Sequence, residues 1–264
     1  MTQIFDALDA LKGRVAGREL VLFLDYDGTL APIAQRPEKA VLASAMRSLL
    51  QDLAAAPACK VCVVSGRALA DIKELTGVSN ISYVGNHGLE MDVPDFVFGN
   101  FDLARTGEVL GLLKEEIGKA ISSFEGAFVE DKGITLSVHY RLVSPRSEDP
   151  IKRLLEDITK PFVARGEVRV SSGKKVFEIK PLIDWDKGRA VAWLLGEHQK
   201  ACGTMPAVVY IGDDRTDEDA FKALTGRGIT IKVGEGATAA EYHVKDQNEV
   251  IVLLKAILGL RRKE

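Results

Sequence analysis

The chain has little of what marks export, disulfide scaffolding or nucleic-acid binding. It carries three cysteines, Cys59, Cys62 and Cys202, an odd number in 264 residues, which argues against a disulfide framework and for a reducing compartment. No apolar run approaches the ~18 residues of a membrane span. The amino terminus, with Ile4, Phe5, Leu8 and Leu11 among early acids, has the spacing of a short amphipathic helix rather than an export signal. A basic excess is missing too. Lys and Arg number 35 against 38 Asp and Glu, a net charge of −3, so nothing invites a phosphate backbone or an anionic membrane. The expectation is a cytoplasmic monomer that engages neither nucleic acid nor membrane.

What is present is a globular composition, 46% hydrophobic and 28% charged, in a chain long enough for one domain with a substantial insertion. Cys59 and Cys62 match C-x-x-C but lie inside the strand-like run CKVCVVSG. Positions three apart on a strand face opposite sides and cannot share a metal, so both read as core thiols.

The most informative stretch is 20–30, LVLFLDYDGTL. A continuous apolar run is what a buried strand of a parallel sheet looks like, and here it delivers two carboxylates to the sheet edge. Strand alternation sends Asp25 and Asp27 to the same side, and Gly28 permits the turn that follows. Two like charges so close together call for a cation.

Helix and strand patterns alternate around it: a helix at 38–55, a strand at 59–65, a helix at 68–76 and a strand at 81–85. That order predicts parallel α/β units whose site lies at the strand carboxyl ends. The middle of the chain reads differently, with helices at 104–124 and 148–164, each followed by a hairpin, FVEDKGITLSVHYRLV and EVRVSSGKKVFEIK. From 184 the alternation resumes, with a helix at 187–201 and a buried strand at 207–214. The expected organisation is an α/β core, 1–95 with 183–264, interrupted by an α+β segment at 96–182 that resembles two helix-hairpin units.

Four features fall at the same sheet edge: Asp25-x-Asp27-Gly28-Thr29, Ser65, Lys187, and Gly212-Asp213-Asp214-x-x-Asp217. Together, in this order, they resemble the four motifs of the haloacid dehalogenase superfamily. The resemblance is closest to the trehalose-6-phosphate phosphatases, through LDYDGTLAPI, VVSGR, GNHGLE, VEDKGITLSVHYR, VFEIKP and YIGDDRTDEDAF. It implies a Rossmann-like parallel sheet flanked by helices with an inserted α+β cap, Mg²⁺ as cofactor and a small-molecule sugar phosphate as partner.

The residue chemistry runs alongside the resemblance. Phosphomonoester hydrolysis needs a nucleophile, a proton donor for the leaving oxygen and positive charge around the phosphoryl group, and aspartate can be that nucleophile. The resemblance makes Asp25 the nucleophile and Asp27 the acid and base, with Mg²⁺ on Asp25, Asp213 and the Asp27 carbonyl. Thr29 and Ser65 would donate to phosphoryl oxygens, and Lys187 would add charge at a helix start. Asp214 and Asp217 would stand behind the metal. In the cap it implies Glu130, Lys132, Arg141, Glu178 and Lys180 as sugar contacts, and on core loops Arg67, Asn86 and His87.

Competing readings have specific weaknesses. A calcium loop counted from Asp25 would end on Arg36 where a bidentate acid is needed, and Leu30 occupies its glycine position. Asp213, Asp214 and Asp217 could be only a helix cap, and the cap residues only a solvated sheet face. His87 could merely fix its turn, while His139, His198 and His243 read as structural or surface residues. Sucrose or mannosyl phosphates would need the same core motifs, and an inert sugar-phosphate sensor is the remaining alternative. Hinges are expected at 94–100 and 181–186.

Overall fold

The computed structural model describes residues 2–34, 36, 39–94 and 104–262. In chain order the core elements begin with β1 (Thr2–Gln3), α1 (Leu8–Val15), β2 (Leu20–Asp25), α2 (Ser44–Ala54), β3 (Cys59–Val64), α3 (Leu69–Thr76), β4 (Ser82–Gly85) and β5 (Glu90–Asp92). The middle segment contributes α4 (Ala104–Ile121), β6 (Phe128–Asp131), β7 (Leu136–His139), α5 (Glu148–Ala164), β8 (Val168–Ser172) and β9 (Val176–Pro181). The core then continues through α6 (Lys187–Cys202), β10 (Ala207–Gly212), α7 (Asp217–Ala223), β11 (Ile229–Val233), β12 (Tyr242–Val244) and α8 (Gln247–Arg261).

The chain forms two compact units, Met1–Phe98 with Trp185–Glu264, and Gly99–Asp184. Residues 95–100 of the expected first hinge lie outside the described residues.

The larger unit is an eight-stranded sheet in the order β1-β12-β11-β10-β2-β3-β4-β5. Every neighbouring pair is parallel except β4 with β5. Every residue of β2 and β10 is buried, because both sheet faces are covered. Leu22, Leu24, Val209 and Ile211 pack with residues of α1, α2 and α8 on one side. Phe23, Val208 and Tyr210 pack with residues of α6 and α7 on the other. Chain order reverses between β2 and β10: β2 leads toward β3, β10 toward β11. In such sheets the crevice at the strand carboxyl ends forms at this reversal, where Asp25 stands.

The expected C-x-x-C reading holds in detail. Cys59 packs in the core on one sheet face and Cys62 in the core on the other. The helix expected at 38–55, α2, begins at Ser44 rather than near 38. Ala40 and Leu42 are buried from an irregular segment, and the buried Tyr26 hydroxyl donates to the Ala40 carbonyl at 2.8 Å, so packing overrides local helical preference. Short strands β1, β5 and β12 carry too few residues for a period-two pattern to register.

The smaller unit is a four-stranded antiparallel sheet in the order β6-β7-β9-β8. One face carries Val138, Phe177, Ile179 and Val168 against Leu113 and Ile117 of α4 and Ile151 and Leu155 of α5. Its opposite face carries the row Glu130, Ser137, Glu178 and Ser171, aligned across all four strands.

Candidate active site

The turn after β2 is shaped by one carbonyl. Tyr26 O accepts from the N–H groups of Thr29, Leu30 and Ala31 at 3.3, 2.9 and 2.9 Å, and Gly28 N–H donates to Ala31 O at 2.7 Å. Gly28 has φ +92°, and a Cβ there would overlap the Asp213 carboxylate, so glycine is required twice over at this position. Gly212 has the same role from the other strand, since its Cβ would meet Asp217.

Five charged groups meet in this crevice, Lys187 and the carboxylates of Asp25, Asp213, Asp214 and Asp217. Lys187, the first residue of α6, is 2% exposed and donates to Asp25 Oδ1 at 2.7 Å and to Asp217 Oδ1 at 2.8 Å. Asp217, fully buried, also accepts the Tyr210 hydroxyl at 2.7 Å, and its Oδ2 accepts from the N–H groups of Asp213 and Asp214 at 3.0 Å each. Asp214 Oδ1 accepts from Thr216 N, Thr216 Oγ1 and Asp217 N at 2.8, 2.8 and 3.2 Å, holding the start of α7.

Charge follows from this crowding. Burial, then the Asp217 charge, pushes the Asp25 carboxyl well above the ordinary carboxylate range. Burial alone would weaken the Lys187 ammonium, but Asp217 and Asp25 outweigh it and hold Lys187 charged well beyond its usual range. Burial and Asp217 likewise keep the Tyr210 phenol protonated.

Asp25, Asp213 and Asp217 bring carboxylate oxygens within 4.8 Å of one another. Asp25 Oδ2 is buried without a hydrogen-bond partner. An all-oxygen donor set with an orphaned carboxylate oxygen and one lysine among four acids fits a hard divalent cation. Asp217 has both oxygens engaged, which leaves Asp25 and Asp213 as the side chains able to hold one.

Thr29 Oγ1 is also buried and unpartnered. Ser65 Oγ accepts from Arg67 N at 3.1 Å, which leaves its proton to donate. Arg67, expected at the substrate, grips Asp27 here: Nε and one terminal nitrogen reach its two oxygens at 2.7 Å each, and the guanidinium stacks 5.5 Å from the Tyr26 ring centre. Asn86, also expected at the substrate, is fully buried and donates to Glu90 Oε2 at 2.6 Å, an oxygen that also accepts from Leu69 N at 2.9 Å. Asn86 and His87 both have positive φ, 48° and 56°. The His87 ring lies where a Cβ on Gly66 would be, and its charge helps depress the Asp214 carboxyl against the opposing effect of burial, behind Lys187 and local hydrogen bonds.

In the smaller unit Glu130, Lys132, Glu178 and Lys180 are brought to one neighbourhood. Lys180 pairs with Glu178 at 2.8 Å, Lys132 lies 3.9 Å from Glu130, and all four side chains are largely buried. Arg141 is not among them. It is exposed in the turn beyond β7, where it donates to the Lys174 carbonyl at 2.7 Å. Tyr210, Glu90 and His139 are the residues the sequence reading passed over as site members. His139 Nε2 lies 2.6 Å from Glu130 Oε2 with its ring stacked on Phe128. A polar atom on an otherwise apolar strand was the available signal for Tyr210.

Comparison with known proteins gives a consistent picture. A family model described as trehalose-phosphatase matches residues 23–249. The trehalose-phosphate phosphatase of Mycobacterium tuberculosis is 38% identical over 252 residues, covering 92% of this chain and 62% of its own length. Probable trehalose-phosphate phosphatase 4 of Oryza sativa subsp. japonica is 34% identical over 265 residues, covering 97% of this chain and 70% of its own. A solved structure described as a trehalose-6-phosphate phosphatase related protein superposes with a TM-score of 0.79 at 29% identity, covering 92% of this chain and 99% of that one. The chain thus spans somewhat less than two thirds of the mycobacterial relative.

Proposed function

The chain belongs to the trehalose-phosphatase family, and from that premise we propose that it hydrolyses trehalose 6-phosphate to trehalose and inorganic phosphate through an aspartyl-phosphate at Asp25. One observation carries the chemistry: a buried aspartate with one oxygen fixed by Lys187 and the other unpartnered, within reach of a second carboxylate, Asp213.

Mg²⁺ would be held by Asp25, Asp213 and the Asp27 carbonyl, where it would offset repulsion between carboxylates and the incoming phosphate. Lys187 orients Asp25 through its hydrogen bond, and its charge opposes the burial and the Asp217 carboxylate that favour the neutral form. Asp25 forms a bond to phosphorus as the bond from phosphorus to the sugar oxygen breaks, and Asp27 gives that oxygen its proton. The ionised Asp27 then takes a proton from a water whose oxygen attacks phosphorus. The acyl-phosphate bond breaks toward Asp25, releasing phosphate and regenerating both side chains. Thr29 Oγ1 and Ser65 Oγ donate to phosphoryl oxygens.

Arg67 gains a role in this scheme. Both Asp27 oxygens are bound to its guanidinium, so proton transfer requires that pair to part, and a phosphate dianion is a strong competitor for a guanidinium. Sugar recognition falls to Glu130, Lys132, Glu178 and Lys180, whose carboxylates accept from hydroxyl groups and whose ammonium groups donate to them.

The test is phosphate release with Mg²⁺ across trehalose 6-phosphate, sucrose phosphate and mannosyl phosphates. Turnover dominated by trehalose 6-phosphate is expected. Comparable rates on all three would overturn the substrate assignment, and no release from any would favour an inert sugar-phosphate sensor.

A further inference from the structure

A second constellation of ligating side chains stands in the larger unit, away from the carboxylate crevice. Glu19 directly precedes β2, and His198 and Cys202 are one helical turn apart near the end of α6. One ligating atom from each of the three lies within 4.8 Å of the other two. We propose that Glu19, His198 and Cys202 bind a thiophilic divalent cation, Zn²⁺ foremost.

Four observations support the assignment. Spacing of i and i+4 on a helix places His198 and Cys202 on one face. His198 is 4% exposed, and its Nε2 is buried without a hydrogen bond although Glu19 Oε2 lies only 3.1 Å away. A tetrahedral ion with N and O ligands at ~2.0–2.2 Å separates them by roughly 3.3 Å, so the pair is spaced for a shared cation. Lys60 lies 3.5 Å from the other Glu19 oxygen, Oε1, which orients the carboxylate for binding through Oε2 alone. Finally, the site stands at the α6 carboxyl end, capped by Gly203 at φ 75°, where the helix dipole favours positive charge.

The donor set decides the metal class. Thiolate with imidazole selects Zn²⁺ and its neighbours over Mg²⁺ or Ca²⁺, and three protein ligands leave one position for water. The exposed Cys202 makes the site exchangeable.

Its place in the fold suggests what binding would do. Asp25 ends β2 and Lys187 begins α6, whereas Glu19 and Cys202 lie at the opposite ends of those elements. At ~3.3 Å per strand residue and 1.5 Å per helical residue, both spans are about 20 Å. A cation here would bolt together, at their far ends, the strand and helix that present the nucleophile and its lysine.

The experiment uses the full chain in excess Mg²⁺ titrated with Co²⁺, read as the thiolate-to-cobalt charge-transfer absorption that carboxylates cannot produce. One equivalent with that band is expected. The band should vanish in Cys202→Ser, and Zn²⁺ affinity, measured by competition with a chromophoric chelator, should fall about 100-fold or more in Cys202→Ser, His198→Gln and Glu19→Gln. Circular dichroism checks each fold, and partly exposed Glu19 provides a variant outside the hydrophobic core. Absence of the band in the unaltered chain, its survival in Cys202→Ser, or undiminished affinity in folded Glu19→Gln would each overturn the site.

Discussion

At the residue scale, the crevice is a balance of one lysine against several carboxylates in surroundings that penalise every charge. Lys187 is the group whose removal would leave Asp25 and Asp217 facing each other without compensation. Asp25→Asn keeps the shape and a hydrogen-bonding oxygen but removes the nucleophile. The variant should fold, by circular dichroism, and lose phosphate release by at least about 1,000-fold. Appreciable residual turnover would remove the aspartyl-phosphate step.

The thiols give a second residue-scale prediction. Burial pushes Cys59 up to about 11 and Cys62 higher still, while Cys202 is exposed. A disulfide reagent near neutral pH should therefore label one thiol per folded chain and three after denaturation. Because the folded state holds those two protons more tightly than the unfolded chain, whose thiols titrate near 8.5, stability should be level below that pH and fall as pH rises toward 11. Denaturant midpoints measured across this range check the sign, and a Cys62→Ala variant should flatten the decline.

At the scale of elements, the large sheet is secured by helices that end on specific bonds rather than on apolar contact alone. Arg261, in the last turn of α8, is fully buried and donates to the carbonyls of Arg18 at 2.9 Å and Val15 at 2.5 Å, tying the terminal helix to the stretch between α1 and β2. Replacing it by Met keeps much of the volume but strands both acceptors. The cost should be about 2–4 kcal/mol, read as a lower urea midpoint. A loss below about 0.5 kcal/mol would show that water satisfies those carbonyls instead.

At the scale of the whole molecule, the two units have separate hydrophobic cores and separate chemistry. The larger provides the carboxylates and Lys187; the smaller provides a charged sheet face that holds Glu178 and Lys180 at 2.8 Å. Burial lowers the Lys180 ammonium, with Glu178 partly restoring it, so that face is held in place at some cost in stability. If it recognises the sugar, Glu178→Ala should raise KM for trehalose 6-phosphate about tenfold or more while hydrolysis of a small aryl phosphate changes less than twofold. Equal losses on both substrates would place Glu178 outside sugar recognition.

The apolar run before Asp25, the alternating helices and strands, and the order of the four motifs made the parallel sheet and its carboxylate-bearing edge legible from the sequence. These are local signals: a period, a turn glycine, a spacing of two or four residues. Tertiary structure alone decided what depends on residues far apart in the chain. Arg67 pairs with Asp27 across 40 positions and Lys187 with Asp25 across 162; Asn86 is fully buried and donates to Glu90. His198, which read as an ordinary packing residue, meets Glu19 only because β2 and α6 lie side by side. Side-chain type and spacing specify which groups reach the sheet edge, but the partner each group takes there is set by packing of both faces, and no local pattern encodes it.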